Sequence, residues 1–311
     1  MRDKSILVAG AGGFVGRRLC QSLSEQGARV IGFARTPGAG EQYVAEQHRV
    51  DISDRMQVLE LIQKIRPDMV VHLAAAKNRS VEMPEYRAGY EANLLGTLNL
   101  VEACQESTAL TRFVYLGTCE EYGQQAAPFD ESSREMPVSA YAVTKLAVTQ
   151  LLQALARARG FPAIILRPTV VYGPGQNVDM FLSALIKSLV SGQRFGMTRG
   201  EQTRDFVFID DMVNAIMRAL VAPNIQGLVI NVSCALPVRI DDLARKVARL
   251  VGTGAESLLD FGARECRQGE AMDYWASNSR AKALLDWSPN VLLDDGLRQT
   301  ISSFRAEMLN G

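Results

Sequence analysis

Short apolar runs alternate with stretches of helical periodicity along the first half of the chain. The runs that predict strands are SILVAG, ARVIGFA, HRVD, DMVVHLA, RFVYLG and AIILRP. Residues 15–26 and 54–65 between them carry apolar side chains at the spacing of an amphipathic helix. Buried strands separated by helices are typical of a parallel sheet covered on both faces. We therefore expect an α/β fold with a doubly wound parallel sheet of the Rossmann type.

The pattern loosens after Tyr172. Helices are predicted over 180–191 and 210–220, and GLVINVS has the character of a strand that returns to the sheet. The rest of the chain predicts short helices and charged loops. We expect a dinucleotide-binding domain over 1–171 with a return segment at about 206–235. Residues 172–205 and 236–311 would form a smaller C-terminal α/β lobe for the substrate.

Composition excludes several classes of function. The chain of 311 residues has 34 Lys and Arg against 34 Asp and Glu, so no basic field attracts nucleic acid or an anionic membrane. Its apolar runs are too short for a signal peptide or a membrane span. Five widely spaced cysteines without a CxxC pair argue against a disulfide framework and a metal site. We expect a cytoplasmic protein.

A glycine-rich loop, GAGGFVG, follows the first predicted strand and precedes the first predicted helix. Gly10 would permit the tight turn, Gly13 the close approach of a pyrophosphate, and Gly16 the close packing of helix on strand. The helix N-terminus would face the phosphates. This context favours dinucleotide binding over a simple strand-to-helix turn.

The end of the second predicted strand bears on the choice of cofactor. A carboxylate there would bond the ribose 2′-hydroxyl of NAD, but this chain has Ala34 followed by Arg35. Arg35 can pair with a 2′-phosphate, which predicts NADP(H), with NAD(H) and a solvated turn arginine as the alternatives. Asp51 is placed to accept a hydrogen bond from the adenine. Its other role would be a helix N-cap, for which Ser53 competes.

Tyr141 and Lys145 are four residues apart on a predicted helix and therefore project from the same face. A phenol has a pKa near ~10, and a neighbouring ammonium favours the phenolate. Tyr141 is thus the candidate proton-transfer residue and Lys145 its electrostatic partner. The spacing alone is common, but it gains weight beside the glycine loop.

Six motifs occur in one order along the chain: GAGGFVG, the HLAAAK run, Asn93 within NLLGTLNL, YxxxK, LRPTVVYGPG and RDFVFIDD. Together they resemble the extended short-chain dehydrogenases/reductases, in the NAD-dependent epimerase/dehydratase group that modifies nucleotide-linked sugars. The resemblance spans the whole chain. It implies that Thr118 completes a catalytic set with Tyr141 and Lys145, against a plain role as a strand-end residue.

The resemblance also implies which residues meet the ligands. The expected cofactor-binding residues are Gly10, Gly13, Phe14, Val15, Gly16, Arg35, Asp51, Ile52, Leu73, Ala74, Ala75, Asn93, Tyr141, Lys145, Pro168 and Val170. The expected substrate-binding residues are Lys77, Asn177, Arg204 and Arg267, with surface ion pairs as the alternative role of the two arginines. A homodimer through the helix that carries Tyr141 is implied as well, although that helix suits packing within one chain equally.

Glu120 leaves the reaction open. Related 4,6-dehydratases carry a glutamate at this position, but they place an acid or a hydroxyl where this chain has Cys119. A similar GxxEEYG motif occurs in 4-keto-6-deoxymannose nucleotide reductases. His48 and His72, the two histidines, lie in or beside predicted strands and are not expected to be catalytic.

The sequence thus leads to one hypothesis and two rivals. The first is NADP(H)-dependent reduction of the C4 keto group of a nucleotide-linked 4-keto-6-deoxyhexose. One rival is a sugar-nucleotide 4,6-dehydratase or 4-epimerase, and the other is a non-catalytic NADP-binding protein on the same fold.

Overall fold

The computed structural model describes residues 1–36, 41–77, 80–107, 109–266 and 271–310. Its strands are β1 (Ser5–Ala9), β2 (Arg29–Ala34), β3 (Glu46–Arg49), β4 (Met69–His72), β5 (Arg112–Leu116), β6 (Ala163–Pro168), β7 (Val170–Tyr172), β8 (Phe195–Met197), β9 (Thr203–Arg204), β10 (Phe206–Phe208), β11 (Val229–Val232), β12 (Val238–Arg239), β13 (Leu259–Phe261) and β14 (Asp273–Tyr274). Its helices are α1 (Phe14–Glu25), α2 (Arg55–Ile65), α3 (Met83–Gly89), α4 (Gly96–Gln105), α5 (Ala140–Arg159), α6 (Phe181–Val190), α7 (Ile209–Val221), α8 (Ile240–Val251), α9 (Ser279–Leu285) and α10 (Leu293–Asn310).

Seven of the described strands form one parallel sheet in the order β11-β6-β5-β4-β1-β2-β3. Alternate side chains of β1 enter two different cores, because successive residues of a strand point to opposite faces. Ile6 and Val8 pack on one face, and Leu7 and Ala9 on the other. The strand order reverses between β1 and β4, which opens a crevice at their carboxyl ends. The expected doubly wound fold is confirmed.

Most predicted elements form close to their expected positions. The strand predicted for HRVD starts and ends two residues earlier, as β3. In this register Phe33 of β2 pairs with His48. GLVINVS forms β11 and joins the sheet beside β6. The expectation of short helices near the end was wrong for α10, which has 18 residues. Leu297, Ile301 and Phe304 give it a buried stripe at helical spacing.

Apart from β11, the strands after β6 form three small sheets outside the main sheet. After β6 the chain pairs as β7 with β10, while β9 lies between β12 and β14, and β8 pairs with β13. None of the helices in the described ranges is both long enough and apolar enough to cross a membrane.

Candidate active site

The glycine loop joins β1 to α1 with very little space around it. Gly10 has φ +91°, and a Cβ on it would lie 2.8 Å from the backbone nitrogen of Ala74. A Cβ on Gly16 would lie 2.2 Å from the carbonyl oxygen of Gly10. Gly13 is the N-cap of α1, and because it has no side chain, the first N–H groups of the helix stay available to an anion. The loop therefore fits a dinucleotide pyrophosphate.

The predicted adenine and ribose residues lie at the ends of β2 and β3. Arg35 is exposed, and Asp51 is half-buried. Hydrogen bonds from the N–H and hydroxyl of Ser53 (3.0 and 2.7 Å) lower the pKa of Asp51, and the charge of Arg35 adds to this effect. The N-cap of α2 is Asp54, which accepts two backbone N–H groups. Neither Asp51 nor Ser53 therefore caps that helix.

Asn93 connects the loop after β4 to α5. It lies in a π-helical turn (Tyr90–Leu95) between α3 and α4, an irregularity that recurs at functional sites. Its Oδ1 accepts the N–H of Ala76 at 2.7 Å, and its Nδ2 donates to the Thr144 hydroxyl at 2.9 Å. Because Asn93 is 1% exposed, these bonds are shielded from water and fix the loop against the helix.

Helix α5 carries the predicted proton-transfer pair. Its N-cap, Ser139, accepts the N–H of Ala142 at 3.2 Å, so Tyr141 lies in the first turn. Lys145, one turn later, donates from Nζ to the carbonyl oxygen of Leu116 at the end of β5. The same Nζ lies 4.1 Å from the centre of the Tyr115 ring, within cation–π range.

The environment of Lys145 brings its ionisation close to neutral pH. Burial lowers the pKa of Lys145 to about 7, the charge of Glu121 opposes this shift, and the charge of Lys77 adds to it. Strongly perturbed lysines of this kind are typical of functional sites. Tyr141 on the same face is 8% exposed.

Thr118 lies two residues beyond β5 and caps a 3-10 turn (Cys119–Tyr122). Its hydroxyl accepts the N–H of Glu120 at 3.2 Å, and Glu120 is half-buried. The thiol of Cys119 points the other way and donates to the carbonyl oxygen of Arg167 at 3.2 Å. It is fully buried, and burial raises its pKa well above the ordinary value. The structure thus places Thr118 and Lys145 at the end of one strand and turns Cys119 into the core.

Sequence reasoning missed a buried ion pair beneath Thr118. The Arg167 guanidinium lies 2.7 Å from Glu121 and 2.9 Å from Glu135, and its carboxylate neighbours keep its pKa raised despite burial. A signal was present, because an arginine within the apolar run AIILRP needs a partner when that strand is buried. No spacing rule identified which glutamate would supply it.

The remaining predicted residues lie on several different elements. Phe14 and Val15 begin α1, Ile52 packs on Gly96, and Leu73, Ala74 and Ala75 follow β4, while Pro168 and Val170 flank the junction of β6 and β7. Asn177 is exposed, and its Oδ1 accepts the N–H of Asp179. Arg204 donates from Nη1 to the carbonyl oxygens of Thr203 and Ala271. Arg267 lies outside the described residues.

A cavity of about 300 Å³ opens close to Arg204, whose Nη1 donates to the carbonyl oxygen of the lining residue Met272. Its lining includes Arg199 and Arg264, but also the carboxylates of Glu201 and Glu265. The two positive and two negative charges of these described lining residues balance, so they give the cavity no net charge with which to attract an anionic ligand.

His72 is part of the core. It is 1% exposed, and its Nε2 lies 2.8 Å from the Thr97 hydroxyl. Burial lowers the pKa of His72 to about 3, with a smaller contribution from the charge of Lys145. The imidazole is therefore neutral over the physiological range.

Comparison with known proteins gives consistent results. The model of the NAD dependent epimerase/dehydratase family matches residues 6–233. An uncharacterised UDP-glucose epimerase of Bacillus subtilis is 31% identical over 312 residues, covering 96% of each protein. The dTDP-glucose 4,6-dehydratase of Haemophilus influenzae is 28% identical and likewise covers 96% of each. The crystal structure of the UDP-glucuronic acid 4-epimerase of Bacillus cereus with UDP-glucuronic acid and NAD is 31% identical, with a TM-score of 0.88 over 97% of this chain and 99% of that one. The chain belongs to the NAD dependent epimerase/dehydratase family.

Proposed function

We propose that the protein is a 4-epimerase of a UDP-linked sugar, with Tyr141, Lys145 and Thr118 as its proton-transfer residues. The observation that carries this proposal is the placement of Lys145 on the carbonyl oxygen of Leu116, two residues before Thr118. This placement supports acid–base chemistry at one sugar oxygen. Full-length similarity to proteins named as UDP-sugar epimerases supports the choice of substrate.

Each residue has a role at the C4 hydroxyl. A nicotinamide dinucleotide bound at the glycine loop would supply hydride chemistry at C4. Tyr141 takes the hydroxyl proton as hydride leaves C4 and returns it when hydride is restored on the other face. Thr118 hydrogen-bonds the same oxygen, and the Lys145 ammonium stabilises the phenolate of Tyr141. Asn93 holds the loop after β4 against α5, which keeps the site in register.

The position of Cys119 argues against the related dehydratase reaction. Dehydration needs an acid to protonate the leaving hydroxyl, in addition to a base such as Glu120. The Cys119 thiol is buried, donates into the core and has a strongly raised pKa. It therefore does not deliver a proton to a sugar, and Glu120 has no acid partner at that position.

A second candidate is NADPH-dependent reduction of a nucleotide-linked 4-keto-6-deoxyhexose. The observation that favours it is the exposed Arg35 after Ala34, where NAD enzymes use a carboxylate. The same three residues would then act in one direction only. For both candidates we propose one lobe that binds the cofactor, a second that binds the substrate, and a homodimer. The proposed substrate contacts are the same in both: Lys77, Asn177, Arg204 and Arg267.

One experiment separates the candidates. Purified protein is incubated with UDP-glucose or UDP-glucuronic acid and, in parallel, with NADPH and a nucleotide-linked 4-keto-6-deoxyhexose. Products are followed by proton NMR while absorbance at the nicotinamide band is recorded. Epimeric product without net absorbance change is expected. Stoichiometric loss of NADPH with a 4-keto-6-deoxy sugar nucleotide, and none of the first reaction, would replace the epimerase by the reductase. Absence of both reactions would favour the non-catalytic alternative.

A further inference from the structure

Glu121 is a carboxylate buried within the protein next to the proposed site. Its side chain is 0% exposed, and neither oxygen faces solvent. Oε1 accepts the backbone N–H of Thr118 at 3.0 Å. Oε2 accepts hydrogen bonds from the Thr149 hydroxyl and from Arg167 Nε, both at 2.8 Å. A buried charge with this many partners is held in one position.

The backbone makes room for this carboxylate. A Cβ on Gly117 would lie 2.7 Å from Oε1 of Glu121, so the oxygen occupies space that any other residue would fill. Thr118 and Glu121 also form a reciprocal capping box around the 3-10 turn. The geometry of the GTCEE segment therefore depends on Glu121 from both ends.

We infer that Glu121 is a positioning residue for the proposed hydride-transfer site: its carboxylate fixes Thr118 and supplies the negative charge that acts on Lys145. The inference rests on the proposed function, because Thr118 and Lys145 matter to turnover only if hydride is transferred there. Glu121 does not contact the substrate, since it is buried behind Thr118.

The first effect is geometric. The Thr118 hydroxyl must bond the C4 oxygen, and the direction of this side chain follows from its backbone, which Oε1 of Glu121 holds. Small displacements of a reacting group reduce rates by large factors. Loss of the bond should therefore lower kcat more than it raises KM.

The second effect is electrostatic. Lys145 is surrounded by Tyr115 and His72 from the sheet, Lys77 from the loop after β4, Tyr141 on its own helix and Glu121. Glu121 is the charge that raises the pKa of Lys145, whereas burial and Lys77 lower it. Removing the negative charge should therefore let the ammonium lose its proton at lower pH, and the alkaline limb of the kcat profile should move to lower pH.

The test compares Glu121→Gln with Glu135→Gln. Both variants remove one carboxylate from the Arg167 guanidinium. Glu135 differs from Glu121 in that its side chain is 26% exposed and bonds Arg167 at 2.9 Å. We expect E121Q to lower kcat for the UDP-sugar by about tenfold with KM within about threefold, and to move the alkaline limb down by about half a pH unit or more. E135Q should stay within about twofold of the parent.

Two further measurements keep the test decisive. Glu121→Asp keeps the charge beside Arg167 but shortens the reach to Thr118, so it should lose kcat and keep the alkaline limb. The pKa of Lys145 is read from its 13Cε chemical shift in lysine-labelled protein, assigned with Lys145→Arg, and it should fall in E121Q alone. This reading needs no substrate, so it still tests Glu121 if the parent protein converts no UDP-sugar and the proposed function fails.

Three results would overturn the inference. They are equal pH profiles for E121Q and E135Q, an E121D variant with parental kcat, or an E121Q variant that changes only the melting temperature. Any of them would reduce Glu121 to a structural partner of Arg167.

Discussion

The side chains beneath the proposed hydride-transfer site differ from those expected to meet the ligand at its edge. The buried floor, formed by Asn93, Thr118, Glu121, Thr144 and Lys145, is almost inaccessible, and each member bonds to a neighbouring element. The exposed rim, formed by Arg35, Lys77, Asn177 and the half-buried Arg204, lies on turns, loops and a two-residue strand.

In the proposed site, this difference would separate chemistry from recognition. Floor residues are held before any ligand arrives, because burial makes an unmade bond costly. Rim residues can be exchanged without disturbing the core. Substitutions in the floor should therefore affect turnover or stability, and substitutions in the rim should affect binding.

The largest effect is expected from Tyr141→Phe. Without the phenol the proton of the C4 hydroxyl has no acceptor, so kcat should fall by about 10³-fold, while cofactor content stays within about twofold. The rate of product formation from the UDP-sugar measures kcat. The amount of cofactor released on denaturation measures the cofactor content. The control is Tyr115→Phe, because the Tyr115 hydroxyl has no hydrogen-bond partner among the described residues. Near-parental turnover in Y141F would remove Tyr141 from the mechanism.

The next effect concerns the stability of the protein at acid pH, through the buried core residue His72. His72 has a folded-state pKa of about 3 against 6.5 when unfolded, so between these values the unfolded chain binds one proton more. Its contribution to stability is therefore lost as pH falls. The parent should lose unfolding free energy as the pH falls from 6 to 4, and His72→Gln should make this loss smaller by roughly 2 to 3 kcal/mol.

Denaturant titrations at the two pH values measure this difference. The control is His48→Gln, which removes the other histidine from a half-buried position on β3. If both variants show the same change with pH, the imidazole of His72 is accessible to water in the folded protein.

The sequence predicted the floor unevenly. The glycine loop, Tyr141 and Lys145 were predicted from their positions after a strand or on one helix face, and Thr118 was predicted from the family resemblance. Glu121 and Arg167 were missed, since an ion pair between residues 46 positions apart follows from the order of β5 and β6 in the sheet. Periodicity identifies buried strands but does not identify their neighbours.

For the rim, the sequence predicted which residues would take part but not which groups they would contact. Arg204 was predicted from its motif, yet its bonds to the carbonyl oxygens of Thr203 and Ala271 depend on the pairing of β9 with β14. The 18-residue α10 was also underestimated, because its buried apolar residues Leu297, Ile301 and Phe304 are separated by polar residues. Tertiary packing, rather than local pattern, determines both features.

A third prediction tests the rim directly. If Arg204 binds a substrate phosphate, Arg204→Ala should raise KM for the UDP-sugar by about 30-fold and leave kcat within about threefold. Arg239→Ala is the control, because Arg239 lies on the paired strand β12 and bonds Asp241. A lower melting temperature with unchanged KM would instead assign Arg204 to holding residues 271–272.

The smallest effect is expected at Arg35, where it also sharpens the choice between the two candidate functions. Arg35→Gln should weaken NADP binding by about tenfold and leave NAD binding within about twofold, because only the 2′-phosphate offers the guanidinium a charged partner. Cofactor fluorescence titrations measure both constants. Arg49→Gln is the control, since Arg49 is exposed and lies opposite Ala34 on β3. Equal changes for both cofactors would make Arg35 a solvated turn residue and remove the observation that favours the NADPH-dependent reductase, leaving the epimerase as the simpler assignment.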